Sequence, residues 1–209
     1  MLFNASAPVL LAIGVALVVG ITFHEFSHAL VADQLGDHRP RALGRVSLNP
    51  IRHIDPLGAL AFLLAGFGWG RPVPVNPYAL RPGRSGMAIV AGAGPLANVV
   101  VALAFAIVFR VVRLGGGPIG PVDELVANVV LFNIVLGLFN LLPIPPLDGY
   151  NVVLAFLPPR QAFAVQRYAQ YGTLALLGLI LISRLDPSGG PIGWLFSLAT
   201  MLTGAFLGA

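Results

Sequence analysis

Residues 8–32 read PVLLAIGVALVVGITFHEFSHALVA, an apolar run whose ionisable residues, His24, Glu25 and His28, lie in its last third. A helix rises about 1.5 Å per residue, so a run of this length crosses a bilayer core of roughly 30 Å. We therefore predict that this segment is a transmembrane helix. It has no basic flank and is longer than the apolar core of a signal peptide, so we expect the mature protein to keep it.

The composition of the whole chain predicts an integral membrane protein. Of its 209 residues, 57% are hydrophobic and 10% are charged, and the mean hydropathy is +0.88. Soluble domains carry about 25% charged residues, so this chain lacks the polar groups to cover a globular surface. The absence of cysteine excludes disulfides and thiolate metal sites. All twelve basic residues are Arg; membrane topology explains them, and no nucleic-acid partner is expected.

Four further apolar segments are predicted to span the membrane, at residues 86–109, 125–142, 171–185 and 192–207. The second span carries Gly92, Gly94 and Pro95 near its start, which indicates a broken or a closely packed helix. The segment 56–77 is too short to span comfortably, and periodicity leaves re-entrant, β-hairpin and interfacial structures open. The sequence thus predicts an all-α bundle of about five transmembrane helices in a single domain, residues 1–209.

The distribution of Arg predicts the orientation of this bundle. With the N-terminus outside, nine Arg residues lie on the cytoplasmic side and three on the outer side. The positive-inside rule favours this arrangement in the plasma membrane. It places the ends of the first and third spans at a similar depth near the cytoplasm, so polar groups about 120 residues apart in sequence are expected to meet there.

The sequence His24-Glu25-Phe26-Ser27-His28 is an H-E-x-x-H motif. Residues i and i+4 of a helix share a face, so both imidazoles point at one ion. Zinc binds neutral imidazole and lowers the pKa of a bound water toward about 7. Glu25 is placed to take a proton from that water as the general base. Three ionisable groups within five residues of a membrane span are costly, which indicates a functional site.

A catalytic zinc usually has three protein ligands, so a third must come from elsewhere. Asp33 and Asp37 follow the motif closely, as loop or helix-end groups. Asp123 and Glu124 are predicted on the opposite side of the membrane. Asp148 lies at the right depth after a proline-rich turn, although an Asp-Gly pair is also a common turn. The residues favour Asp148 and leave the turn interpretation open.

Two paired segments resemble the site-2 protease family of intramembrane metalloproteases. They are the H-E-x-x-H motif and NLLPIPPLDG at residues 140–149. GAGPLAN at residues 92–98 resembles the family's G-P-x-x-N element, and GWGRPVPVNP at residues 68–77 resembles a loop of its small bacterial and archaeal members. The resemblance implies a zinc ion held by His24, His28 and Asp148.

The resemblance also implies roles for four other residues. Asn140 is a candidate for polarising the scissile carbonyl or holding the substrate, and the alternative is a satisfied polar group between helices. Asn98 has the same two interpretations, with the structural one favoured. Asn76 is a candidate for substrate binding, since the 56–77 segment could pair with an unwound substrate. Pro146 is a further substrate-site candidate, which shapes the turn that presents Asp148.

We therefore predict a zinc metalloprotease that cleaves a membrane-spanning protein substrate. A non-hydrolytic metal-binding or metal-transport protein is the alternative, but transport predicts further ligands along a path through the bilayer. A protease with Glu as third ligand is disfavoured because Glu25 and Glu124 are the only Glu residues. The intact Glu25 argues against a pseudoenzyme. His38 and His53 are weak candidates for a second metal site and are more simply loop histidines.

Overall fold

The computed structural model describes residues 7–65, 68–81, 83–117, 120–186 and 189–208. Within a bilayer, backbone groups must be satisfied inside each segment, and helices achieve this. The described residues form nine α-helices: α1 (Ala7–Gln34), α2 (Arg39–Ala42), α3 (Pro56–Ala65), α4 (Arg84–Leu114), α5 (Pro121–Asn140), α6 (Asp148–Phe156), α7 (Pro159–Gln166), α8 (Gly172–Leu185) and α9 (Gly190–Leu207). Short 3-10 helices lie at Pro50–Arg52, Pro77–Ala79 and Ala169–Tyr171.

Four helices, α1, α4, α5 and α9, are long and apolar enough to cross a membrane. A fifth candidate is bent by 42°, where Pro159–Gln166 meets Ala169–Leu185. These four helices and the bent pair confirm the predicted all-α bundle with about five spans. The segment predicted at 171–185 forms the 14-residue α8, which is only about 21 Å long, so it needs α7 to reach the thickness of a bilayer.

Helices α1, α4 and α5 form the centre of the bundle. Small residues at their contacts, such as Ala16 on α1 and Ala102 on α4, are fully buried and let the backbones approach closely. Val129 of α5 packs between α1 and α4, and Ala199 brings α9 against α5. This packing sets the rotation of each helix, and it turns the polar residues of α1 toward α4 rather than toward lipid.

Helix α4 runs without interruption through Pro95 for 31 residues. Of the two predicted alternatives for this region, the structure therefore has the closely packed helix. Gly137 of α5 lies against the turn that contains Pro95, where an added Cβ would be 3.3 Å from the Pro95 carbonyl oxygen. Gly94 faces α1 on the other side. The small residues of this helix thus serve contacts with both neighbours.

The segment 56–77 begins as helix α3 and then returns in an extended conformation. Asp55 caps the N-terminus of this helix, since its Oδ1 accepts hydrogen bonds of 2.9 Å from the backbone N–H groups of Leu57 and Gly58. Gly70 pairs with Ile54 in an isolated antiparallel bridge. Among the described residues, the segment is therefore a helix with one extended return and not a β-hairpin; residues 66 and 67 lie outside the described residues.

Candidate metal centre

Three side chains from two distant parts of the sequence converge on one point. His24 Nε2 lies 3.0 Å from His28 Nε2, and Asp148 Oδ2 lies 3.0 Å from His24 Nε2 and 3.2 Å from His28 Nε2. Both histidines are buried in α1, at 5% and 7% exposure, and Asp148 is half-buried. Among the described residues, these three form the one group of His, Asp or Glu side chains with the spacing of a metal site.

The local sequence explains how each of the three donors is presented. The helical period puts His24 and His28 one turn apart on the same face of α1. Asp148 is the first residue of α6, directly after a tight turn that contains the cis peptide bond Pro145–Pro146. Gly149 is required here, because an added Cβ would collide with the carbonyl group of Leu141 at the end of α5.

Hydrogen bonds on the far side of each ring decide which nitrogen faces the centre. His28 Nδ1 lies 2.7 Å from the Val90 carbonyl oxygen, which can only accept, so Nδ1 carries the proton. Asn98 Nδ2 donates to the Gly20 carbonyl oxygen at 3.0 Å. Asn98 Oδ1 therefore faces His24 Nδ1, at 2.7 Å, and accepts a hydrogen bond from its N–H group. Both rings therefore turn Nε2 toward the centre.

The donor set fits zinc. Two imidazole Nε2 atoms and the buried Asp148 Oδ2 face one another at 3.0 to 3.2 Å. A shared cation stabilises such a set of acceptors. Tetrahedral zinc with bonds of about 2.0–2.1 Å separates its ligand atoms by about 3.3 Å, close to the distances of 3.0 to 3.2 Å found here. Three protein donors also leave a coordination position for water, as in catalytic zinc sites.

Gly94 of α4 leaves the space between the donors open. A Cβ on this residue would lie 2.6 Å from His28 Cε1 and 2.7 Å from His24 Cε1, and closer still to His28 Nε2. No side chain can be accommodated there without moving both rings. The glycine thus explains why α4 can approach the two histidines so closely.

We expect Gly94→Ala to lower zinc content and to reduce proteolysis by about 100-fold, the cost of displacing reacting groups by about 1 Å. Gly92→Ala is the matched control, because an added Cβ at Gly92 meets no atom within 4 Å. Zinc analysis of the purified variants and a cleavage assay measure the two effects. Wild-type zinc content and activity in Gly94→Ala would contradict the assigned geometry.

Glu25 lies beside the three donors on α1 and is half-buried. Its Oε1 faces Gly70, where an added Cβ would be 3.4 Å away. The extended return after α3 therefore forms the wall next to this carboxylate. The Asp148 carboxylate thus belongs to the candidate donor set, and the Glu25 carboxylate, next to His24 in the motif, lies at the edge of that set.

Arg45 and His53 build the loop that supports this wall. Arg45 is 6% exposed, and its Nη2 donates to the Arg71 carbonyl oxygen. Burial lowers the pKa of Arg45, and the nearby Glu25 carboxylate opposes this effect. His53 is fully buried and donates from Nε2 to the Ser47 carbonyl oxygen at 2.6 Å, and burial lowers its pKa. It is thus an ordinary loop histidine, as the simpler interpretation predicts.

The two acidic candidates that follow the motif, Asp33 and Asp37, are engaged by Arg residues. Asp33 accepts from Arg41 at 2.9 and 2.7 Å and from His38 at 2.9 Å. Asp37 accepts two hydrogen bonds of 2.9 Å from Arg39, whose guanidinium holds the pKa of that carboxyl at about 2. Both aspartates therefore organise the loop that follows α1 and do not reach the donor set.

The structure places the four other candidate site residues at separate positions. Asn98 is fully buried in α4 and is hydrogen-bonded to His24 Nδ1. Asn140 is half-buried at the end of α5 and donates from Nδ2 to the Leu136 carbonyl oxygen at 2.9 Å. Asn76 caps the 3-10 helix Pro77–Ala79 and is bonded through its backbone N–H to Asp37 at 2.6 Å. Pro146 lies in the turn before Asp148.

Two buried residues near the centre escape the sequence reasoning, Arg45 and Asn133. Arg45 reads as a topology determinant because it lies in an Arg-rich loop. Asn133 lies in the middle of an apolar span, and it is fully buried. The signal for it was present, because an isolated amide inside a span is costly, and because residue 133 shares a helix face with Asn140, seven positions later.

The sequence comparisons agree with this geometry. The model of Peptidase family M50 matches residues 116–183, which include Asp148. Over 186 residues the chain is 36% identical to YwhC of Bacillus subtilis, which is provisionally named a zinc metalloprotease, with 86% of this chain and 83% of that protein covered. The chain belongs to peptidase family M50.

Two further members of the M50 family extend the comparison. Rip2 of Mycobacterium tuberculosis, also provisionally named a zinc metalloprotease, is 32% identical over 190 residues, with 87% of this chain and 71% of that protein covered. Rip2 of Mycolicibacterium smegmatis is 29% identical over 188 residues, with 87% and 68% covered. No solved structure matches the chain significantly. As an M50 peptidase of the site-2 protease family, the protein is a multi-pass membrane zinc metalloprotease, which confirms the predicted enzyme class and cofactor.

Proposed function

We propose that this protease hydrolyses a peptide bond in or near a transmembrane helix of its substrate. In this proposal His24, His28 and Asp148 bind the zinc ion, and Glu25 is the general base. The observation that carries it is the convergence of His24, His28 and Asp148, beside a fourth ionisable group, inside a bundle of membrane-spanning helices. Burying such a set of ionisable groups in a membrane is costly, so its presence indicates a function.

The chemistry divides between the metal and the side chains. Zinc supplies Lewis acidity, which lowers the pKa of a bound water toward about 7 and polarises a carbonyl group. The Glu25 carboxylate takes a proton from the attacking water at an Oε atom and later delivers it to the nitrogen of the leaving amine. Asn98 holds the His24 ring so that Nε2 keeps its lone pair. Asn140, at the end of α5, is the candidate donor for the scissile carbonyl oxygen or for substrate binding.

The substrate must unwind to react, because a hydrogen-bonded helix hides its carbonyl groups. The extended return at residues 70–76 offers a partner for an unwound segment. One of its edges is used, since Arg71 N–H donates to the His53 carbonyl oxygen at 2.7 Å. We propose that the substrate adds to the return as a further strand, with Asn76 near its end, and that Pro146 shapes the turn on the metal side.

The proposal includes the orientation and extent of the protein. The loops that carry nine of the twelve Arg residues face the cytoplasm of a plasma-membrane protein, so the site opens toward that side. Residues 1–209 act as one catalytic domain. Metal transport is disfavoured because the described residues contain one group of metal-binding side chains and no second group along a path.

Cleavage of defined membrane-spanning peptides tests the proposal. The purified enzyme is placed in lipid vesicles with two single-span peptides, a uniform polyleucine span and the same span with a central Gly-Pro pair. We expect zinc-dependent cleavage of the peptide with the weakened helix, with the cut mapped by mass spectrometry to the span or its boundary. Chelator-treated enzyme is the control. Cleavage of soluble peptides but of neither spanning peptide would contradict the proposed substrate class.

A further inference from the structure

A pair of buried amides connects the centre of the bundle to the metal site. Asn98 of α4 and Asn133 of α5 are both fully buried, and Asn98 Nδ2 donates to Asn133 Oδ1 at 3.0 Å. The pair also touches α1, because Asn98 Nδ2 donates to the Gly20 carbonyl oxygen. Gly20 makes room for it: an added Cβ there would lie 3.3 Å from Asn133 Oδ1. Three helices therefore meet at these two side chains.

The direction of every hydrogen bond in this chain of contacts is determined. Asn133 Nδ2 donates to the Val129 carbonyl oxygen at 2.8 Å, one turn earlier in α5. A carbonyl oxygen can only accept, so the oxygen of the Asn133 amide must face Asn98. Both hydrogens of Asn98 Nδ2 are then used, by Asn133 and by Gly20, and its oxygen must face His24. Two backbone carbonyls thus fix both amides.

The orientation of the Asn98 amide determines which nitrogen of the neutral His24 ring carries the proton. With Asn98 Oδ1 as the acceptor, the proton of His24 lies on Nδ1 and the lone pair of Nε2 faces the donor set. A reversed Asn98 amide would offer an N–H to His24 Nδ1 instead, which would favour a proton on Nε2, where it blocks a metal. Without the Asn133 oxygen, one buried N–H of Asn98 loses its acceptor and its orientation is less strongly held.

We propose that Asn133 is a positioning residue for zinc binding, which fixes the tautomer and orientation of His24 through Asn98. This inference rests on the proposed role of His24 as a zinc ligand. Hydrogen-bond partners behind metal ligands typically change metal affinity by 10–100-fold when they are removed. Because Asn133 contacts Asn98 and not His24 itself, we expect an effect at the lower end of that range.

Equilibrium zinc affinity and the visible spectrum of the cobalt(II)-substituted protein test the inference. Asn133→Leu keeps the size of the side chain and removes its acceptor. We expect about 10-fold weaker zinc binding and a changed cobalt spectrum. Asn128→Leu is the matched control, since Asn128 donates to the carbonyl oxygen of Glu124 in the same way on an exposed face of α5. Asn133→Asp, whose protonated carboxyl retains a donor and an acceptor, should bind zinc more tightly than Asn133→Leu.

A double variant separates a positioning role from a general loss of packing. Asn98→Leu alone and Asn98→Leu combined with Asn133→Leu should bind zinc equally weakly, because Asn133 acts only through Asn98. If Asn133→Leu does not fold, Asn133→Ala replaces it in both comparisons. Wild-type zinc affinity and cobalt spectrum in the folded Asn133 variant, or additive losses in the double variant, would overturn the inference and leave the zinc site intact. Wild-type zinc affinity in His24→Ala would overturn the proposed site, and the inference with it.

Discussion

Replacing Glu25 by Gln is expected to slow peptide-bond cleavage by about 10²–10⁴-fold, the usual contribution of a general base, and to leave one zinc ion bound. The amide has nearly the shape of the carboxylate but cannot take a proton. Residue 25 does not belong to the proposed donor set, so His24, His28 and Asp148 keep their positions. Cleavage of the Gly-Pro spanning peptide in vesicles and metal analysis of the same preparation measure both parts of the expectation.

The chain offers a matched control for this substitution. Glu124, in the first turn of α5, is the other Glu residue of the sequence. Glu124→Gln removes the same charge by the same chemical change, and its activity should stay close to that of the wild type. A Glu25→Gln enzyme that cleaves at the wild-type rate would show that the base is another group, even if zinc binds as proposed.

The Asp148→Ala variant is expected to lose zinc. Removing a direct ligand should weaken binding by more than about 100-fold, the upper range for residues that only support a ligand. The variant keeps both histidines, but two neutral donors do not complete a catalytic zinc site. We therefore expect metal-free protein after dialysis and no detectable proteolysis, with zinc content measured per folded polypeptide.

Asp123→Ala is the control for Asp148→Ala. Asp123 lies in the first turn of α5, at the far end from the turn that leads to Asp148, and it is 3.6 Å from the guanidinium of Arg113. Its removal should leave zinc content and cleavage unchanged. Full zinc retention in Asp148→Ala would mean that the third ligand is another side chain, and the position of α6 against α1 would then need another explanation.

Local periodicity was enough to predict some features from the sequence alone. The spacing of His24 and His28 follows from the helical repeat, which holds in any α-helix. The spans were found because composition and length determine what a bilayer accepts. The position of Asp148 needed the resemblance as well, since no local rule relates residues about 120 positions apart. The similar depth predicted for the two segments indicated that these residues could meet but did not identify Asp148 as the ligand.

Other features depend on packing that periodicity does not describe. Asn98 reaches His24 because Gly94 lets α4 approach α1 closely, and a helix rotation of this kind is set by all its neighbours together. Arg45 is buried because the extended return crosses over its loop, so counting charges misplaces it among topology determinants. The segment 56–77 stayed ambiguous because a short apolar run fits a strand and a helix equally well.

The separation of the proposed ligands along the chain has a consequence during synthesis. The ribosome delivers α1 first, and domains of a nascent chain fold in the order in which they emerge. A chain that ends before Asp148 carries His24, Glu25 and His28 but only two of the three proposed metal donors. Zinc binding and folding are coupled at such a site. We therefore expect the nascent chain to gain proteolytic activity only after most of its helices have been inserted.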